Sequence, residues 1–166
     1  MLRKMTRTAL ISSCLFIASI TAEAAVYDAS FETNLGSQTF TTPMTGADSL
    51  AITGLLDNGA GSVLNTIFFT AGPDADRIDL DAAWHVGVAG DALRMVGFNL
   101  DLFDASDTLV ASDSFLGVLG GFAHSTLSFA GLVEGDAYEL RLTANNTNVS
   151  HYVLDAKFAA VPLPGA

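Results

Sequence analysis

The dominant spacing of apolar residues along the chain is two. Phe98, Leu100 and Leu102 alternate with Asn99, Asp101 and Phe103, and Leu127 and Phe129 flank Ser128. Tyr138, Leu140 and Leu142 alternate with Glu139, Arg141 and Thr143; Tyr152, Leu154, Ala156 and Phe158 alternate with Val153, Asp155 and Lys157. A strand sends successive side chains to opposite faces, so this alternation marks half-buried strands of antiparallel sheets. It predicts strands over Tyr27–Thr33, Gln38–Thr42, Ser49–Thr53, Val63–Thr70, Arg77–Val88, Leu93–Asp104, Leu109–Phe115, Ser125–Ala130, Ala137–Ala144 and His151–Ala160. Turn-forming residues separate them at Asp57-Asn58-Gly59, Ala71-Gly72-Pro73, Ala89-Gly90-Asp91, Glu134-Gly135-Asp136 and Asn145-Asn146.

Many short strands with turns about every ten residues predict an all-β fold, an antiparallel two-sheet β-sandwich of jelly-roll-like type. One domain over residues 26–160 accommodates them, with no repeat and no long helical period. Phe98, Leu100, Leu102, Leu127, Phe129, Tyr138, Leu140, Leu142, Leu154 and Phe158 are expected in one shared core. Asp101, Glu139, Arg141, Asp155 and Lys157 are expected at solvent or a sheet edge.

The first 25 residues follow a different rule. A basic start (Arg3, Lys4, Arg7) precedes an apolar run from Ala9 to Ile20 and then Thr21-Ala22-Glu23-Ala24-Ala25. This order is that of a secretory signal peptide. Ala22 and Ala24, or Glu23 and Ala25 in the neighbouring register, suit a signal peptidase, so cleavage is expected after Ala24 or Ala25 and the mature chain to begin at Ala25 or Val26. A membrane anchor would need roughly 20 apolar residues, more than this run supplies. Cys14 does not read as a lipoprotein cysteine, because the apolar run continues through Leu15, Phe16 and Ile17. The expected destination is export to the cell surface or the extracellular space.

Composition sharpens this reading. The 166 residues are 50% hydrophobic and 15% charged, with a formal net charge of -11. Without the first 25, four basic and seventeen acidic residues remain, a net of -13. Such a chain is too apolar for disorder, and repulsion disfavours nucleic acid and anionic lipid as partners. The only cysteine is Cys14, so the mature chain can form neither disulfides nor thiolate sites.

Candidate chemistry is sparse. His85, His124 and His151 stand far apart, without the spacing of a zinc site. His124-Ser125 and Ser150-His151 lack the Gly-x-Ser-x-Gly turn that would present a serine nucleophile. Gly117-Val118-Leu119-Gly120-Gly121 lacks the lysine of a phosphate loop and reads as a flexible turn. Trp84 reads either as a sugar-stacking platform or, more simply, as a sheet residue packed on the core. Asp74, Asp76, Asp79 and Asp81 surround a turn after Gly72-Pro73, and hard oxygen ligands at that density are a candidate calcium site. The Asp-x-Asp-x-Asp-Gly loop is missing, however, and solvated carboxylates that keep an acidic chain soluble are the simpler reading. No cofactor is expected beyond that possible calcium. Asn145-Asn146-Thr147 and Asn148-Val149-Ser150 match the glycosylation sequon.

Leu102-Phe103-Asp104-Ala105-Ser106-Asp107 is a strand running into a tight turn. It is followed by Gly131-Leu132, Gly135, the Tyr138–Leu142 strand and last Val161-Pro162-Leu163-Pro164. In that order these residues resemble the small secreted proteins that carry PEP-CTERM sorting signals, of the FxDxA type. The resemblance covers most of the mature chain from about Val63 onward. It implies that Val161–Pro164 opens a C-terminal signal processed by an exosortase, with residues 161–166 outside the folded domain. In that family a membrane helix and a basic cluster follow. Here the sequence stops at Pro164-Gly165-Ala166, as a truncated record or a degenerate signal would.

The expectation from residues and resemblance together is an exported, non-enzymatic surface or extracellular-matrix protein of the PEP-CTERM/exosortase system. Its expected partners are exosortase during export, exopolysaccharide or copies of itself, with membrane contact only through a C-terminal helix. The rival expectation is a calcium-dependent carbohydrate-binding module or accessory domain of a secreted hydrolase.

Overall fold

The structure, a computed structural model, describes residues 24–57, 59–86, 94–147 and 149–161. Nearly all of the predicted signal peptide, Asn148 and Pro162–Pro164 lie outside the described residues. Eleven strands run through the described part: β1 (Val26–Phe31), β2 (Leu35–Thr39), β3 (Ser49–Leu56), β4 (Gly61–Thr70), β5 (Arg77–His85), β6 (Met95–Asp104), β7 (Leu109–Ser112), β8 (Ser114–Leu119), β9 (Phe122–Phe129), β10 (Ala137–Asn146) and β11 (Ser150–Ala159). They form two sheets, one ordered β1-β3-β11-β5-β9-β8 and the other β2-β4-β10-β6-β7.

This is a β-sandwich, and its eight central strands have jelly-roll topology. Strands β3-β11-β5-β9 face β4-β10-β6-β7, and the chain changes sheet at every connection among them except the β6–β7 hairpin. The sheets are of mixed orientation, where the sequence predicts antiparallel pairing throughout. β1 runs parallel to β3, and β2 parallel to β4. A parallel neighbour needs a long crossover, and each is supplied by a strand of the opposite sheet. Residues 32–34 carry the chain directly from the edge of one sheet to the edge of the other.

Two further differences have local causes. The predicted strand Leu109–Phe115 divides at Asp113, which exchanges both its amide and its carboxylate with Leu100: Asp113 N–H donates to the Leu100 carbonyl, and Asp113 Oδ1 accepts from the Leu100 N–H, each at 2.9 Å. The chain beyond Asp113 joins the other sheet as β8. The expected flexible turn over Gly117–Gly121 is corrected as well, since Gly117, Val118 and Leu119 are part of β8. Only Gly120 and Gly121 turn, at φ 61° and 86°, the two left-handed positions that a two-residue type I′ hairpin requires.

The core lies where inward positions of both sheets meet. Leu100, Leu102, Leu127, Tyr138, Leu140, Leu142, Leu154 and Phe158 are buried in one cluster, with Phe98 and Phe129 half-buried against it. Outward positions alternate with them: Asp155 and Lys157 are exposed, while Asp101, Glu139 and Arg141 are half-buried. Arg141 spreads over the Phe103 ring, 4.0 Å from its centre, and binds Glu139 at 2.5 and 2.8 Å and Asp107 at 2.5 Å.

One end of the interior is polar. Tyr152 of β11 lies across Gly54 of β3, where an added Cβ would stand 2.0 Å from the ring. The glycine makes room for the ring, whose hydroxyl reaches the opposite sheet and accepts from Asn65 Nδ2 at 2.8 Å. Nearby, buried Asn146 donates to Asn34 Oδ1 at 3.2 Å and accepts from Ser150 Oγ at 2.5 Å. These bonds engage buried polar groups that cost on the order of 1–3 kcal/mol each when left unpaired, and leave Asn65 Oδ1 without a partner.

The register places Val26, Ser49 and Lys157 side by side across β1, β3 and β11. Lys157 in turn faces Asp79 of β5, which faces Ser128 of β9. At the other end of the same sheet Gly54, Tyr152, Trp84 and Ala123 form the corresponding row.

Candidate functional site

The four aspartates of the candidate calcium turn are placed in different settings. Asp74 occupies a left-handed turn at φ 60°, and the Asp76 carboxylate accepts from the Val161 N–H at 3.3 Å. Asp79 points out from β5 and is engaged by Arg77 at 2.7 and 2.9 Å and by the Ser128 hydroxyl at 2.7 Å. Burial pushes its carboxyl up, but the hydrogen bonds from Arg77 and Ser128 and the Arg77 charge outweigh this and hold it below its ordinary value. Asp81 is exposed and stands opposite Asp155 of β11. Among the described residues no group of three or more histidine, cysteine, aspartate or glutamate side chains is arranged to hold a metal ion.

The histidines stand on β11, β5 and β9, three neighbouring strands of one sheet, and belong to no such metal-holding group among the described residues. Strand alternation puts His124 and Ser125 on opposite faces, with Ser125 buried, and does the same for Ser150 and His151. Neither pair can act as base and nucleophile. At the β6–β7 turn, Asp104 accepts from the Ser106 and Thr108 amides at 2.8 and 2.9 Å. The Asp107 carboxylate serves Arg141 instead.

Two features among the described residues offer apolar surface to another molecule. The first is a cleft of about 560 Å³ between the sheets, lined by Trp84, Phe98, Phe115 and Val118, with Arg94 and Asp113 among its polar groups. Trp84 is only 5% exposed and lies flat on Phe98 at 4.0 Å and 8°. One ring face is therefore already covered, and Trp84 is a core residue at the cleft floor.

The second is the free edge of strand β8. Phe115, Leu116, Val118 and Leu119 are all exposed, Leu116 at 65% and Leu119 at 77%. A bulge between Phe115 and Gly117 resets the alternation, so that Phe115 and Val118 both line the cleft although three positions apart. Two of the other three strand edges carry devices that discourage pairing, while the edge strand β2, Leu35–Thr39, has no charged residue. β1 presents Asp28, and β7 is four residues long and lies between Asp107 and Asp113. Around β8 there is no such guard. From Ser114 to Val133 the sequence contains no aspartate, glutamate, lysine or arginine. That charge-free run is the signal by which the edge could have been found in the sequence.

The chain matches no protein-family model and no curated protein. Its candidate surfaces therefore stand on geometry and chemistry alone.

Proposed function

We propose that the chain is an exported, non-enzymatic surface or extracellular-matrix protein of the PEP-CTERM/exosortase kind, which associates with copies of itself through β8. The observation that carries this reading is the unguarded apolar edge. An acidic chain can approach a second copy closely only where like charges are absent, and β8 offers unpaired backbone groups within such a region. Antiparallel pairing of β8 with its symmetry mate would extend the six-stranded sheet across a two-fold axis. The signal-peptide pattern and the order ending in Val161-Pro162-Leu163-Pro164 support the export and sorting part of the reading.

The test is the oligomeric state of the secreted protein by light scattering, together with its distribution between cells, matrix and medium. Dimers or larger species at micromolar concentration, reduced to monomers by Leu116→Lys with Leu119→Lys, are expected. A wild-type monomer would remove self-association, and retention of the protein inside the cell would remove export.

A carbohydrate-binding module is the second reading, favoured by the aromatic-lined cleft. Trp84 is the sole tryptophan, so its fluorescence reports on that cleft directly. Saturable quenching by exopolysaccharide fragments would move this reading ahead.

A further inference from the structure

Asp48 is a carboxylate buried to 3% exposure, and among the described residues no lysine, arginine or histidine forms an ion pair with it. It sits in the tight turn before β3, where its Oδ2 accepts from the Thr45 N–H at 2.7 Å. Its Oδ1 accepts from the backbone N–H of Ala25 at 2.9 Å. The Ala25 carbonyl accepts from the Ser49 N–H at 3.0 Å, so residue 25 is fixed by both of its backbone groups. Ala24, one residue earlier, is exposed. A buried anion with two amide donors and no cation is an incomplete arrangement, because burial of a charge is costly unless an opposite charge accompanies it.

We infer that Asp48 is the receiving site for the new N-terminus made by cleavage between Ala24 and Ala25. The inference rests on the export reading given above. Hydrolysis of that bond adds water across it: the Ala24 carbonyl carbon takes the oxygen and leaves as a carboxylate, and the Ala25 nitrogen takes the protons and becomes an ammonium. No atom of the folded domain needs to move. A neutral amide at 2.9 Å from Asp48 Oδ1 is replaced by a cation at the same position, and the bond becomes a charge-assisted one, roughly twice as strong. Cleavage one residue later, after Ala25, would remove the donor and leave the carboxylate without its counterion. The carboxylate thus selects Ala25 over Val26 as the first residue of the stable product. It also makes the folded state tighter after processing than before.

Two recombinant chains decide the matter, one beginning at Ala25 and one retaining Glu23 and Ala24 ahead of it. The Ala25 chain is expected to melt about 3 to 6 °C higher, the shift that one partly buried charge-assisted bond gives a domain of this size. Asp48→Asn should erase the difference between the two. If that variant does not fold, Nα-acetylation of the Ala25 chain, which keeps the N–H and removes the charge, should erase the gain instead. Equal melting temperatures, or a gain that survives acetylation, would overturn the inference. N-terminal sequencing of secreted material should give Ala25, and a Val26 terminus would also overturn it. Recovery of the intact leader would count against export alone, since the melting comparison uses chains made without it.

Discussion

The buried end around Tyr152 and the exposed β8–β9 hairpin invert the usual distribution of polarity in opposite senses. Around Tyr152 the amides of Asn34, Asn65 and Asn146 lie inside, where apolar side chains are the norm. On the hairpin Phe115, Leu116, Val118 and Leu119 lie outside, on a chain that is otherwise strongly acidic. Most of the interior polar groups have found partners within the fold, Asn65 Oδ1 being an exception. The exterior apolar groups stay largely exposed, although Phe115 tilts against Trp84 at 6.1 Å. Hydrogen bonds across the two sheets complete the first inversion, and the second is the edge proposed above to receive a second copy of the chain.

The interior half of this comparison breaks most easily at Gly54. Gly54→Ala drives a methyl group into the Tyr152 ring and should cost about 3 kcal/mol, read as a lower denaturation midpoint, since overpacking is not relieved in a closed core. A midpoint within error of wild type would show that the ring can move aside. Tyr152→Phe should cost about 1.5 kcal/mol, because Asn65 then keeps a buried donor without an acceptor.

Tyr152 also predicts an alkaline limit. Burial pushes its hydroxyl well above the ordinary range, and the bond from Asn65 offsets only part of this. Burial raises Tyr138 too, against an opposing bond from the Val133 amide. A raised value in the folded state means that the contribution is complete below the unfolded value of about 10 and is lost as pH climbs through the folded one. Stability measured by denaturant titration should therefore fall above about pH 10, and less steeply in Tyr152→Phe.

The exterior half should respond in association and not in stability. Leu116→Lys with Leu119→Lys changes exposed side chains and should move the monomer's unfolding free energy by no more than about 0.5 kcal/mol, while abolishing assembly. A large loss of stability would mean that the hairpin is part of the core. The smallest effect is expected at the acidic turn. Calcium and sodium at equal ionic strength should shift the melting temperature alike, and Asp76→Asn with Asp79→Asn should change both responses equally. A rise specific to calcium, lost in that double variant, would establish the metal site. Because Asp79 is held below its ordinary value, its contribution is present above the unfolded value of about 4 and disappears as pH falls through the folded one.

Much of the fold was legible because period-two alternation reports directly on a two-faced strand. The β10 and β11 patterns, Tyr138–Leu142 and Tyr152–Phe158, were read with the faces the structure gives them. Strand direction was not legible at β1 and β2, since alternation is the same whether a neighbour runs parallel or antiparallel. The break at Asp113 depends on a reciprocal pair of bonds with Leu100, thirteen residues away, and nothing local announces it. The glycines at 117, 120 and 121 suggested one turn, although a bulge and a hairpin divide them. Of the candidate groups, the acidic turn and the histidines were visible by residue type, and among the described residues they form no metal-holding group. Asp48 was invisible because its role depends on Ala25, which lies 23 positions earlier.

The row Val26, Ser49, Lys157 has a mechanical consequence. The chain enters the first sheet and leaves it at the same pole, on either side of a single strand. Trp84, the cleft and the Gly120–Gly121 tip lie toward the opposite pole, on the order of 20 Å along the strands. Held by whatever continues past Val161, the domain would stand on end like a bollard, its charge-free edge running up one side and its mooring at the base. Tension on the two termini would then peel β1 and β11 from the strand between them one rung at a time, while the far pole carried none of the load.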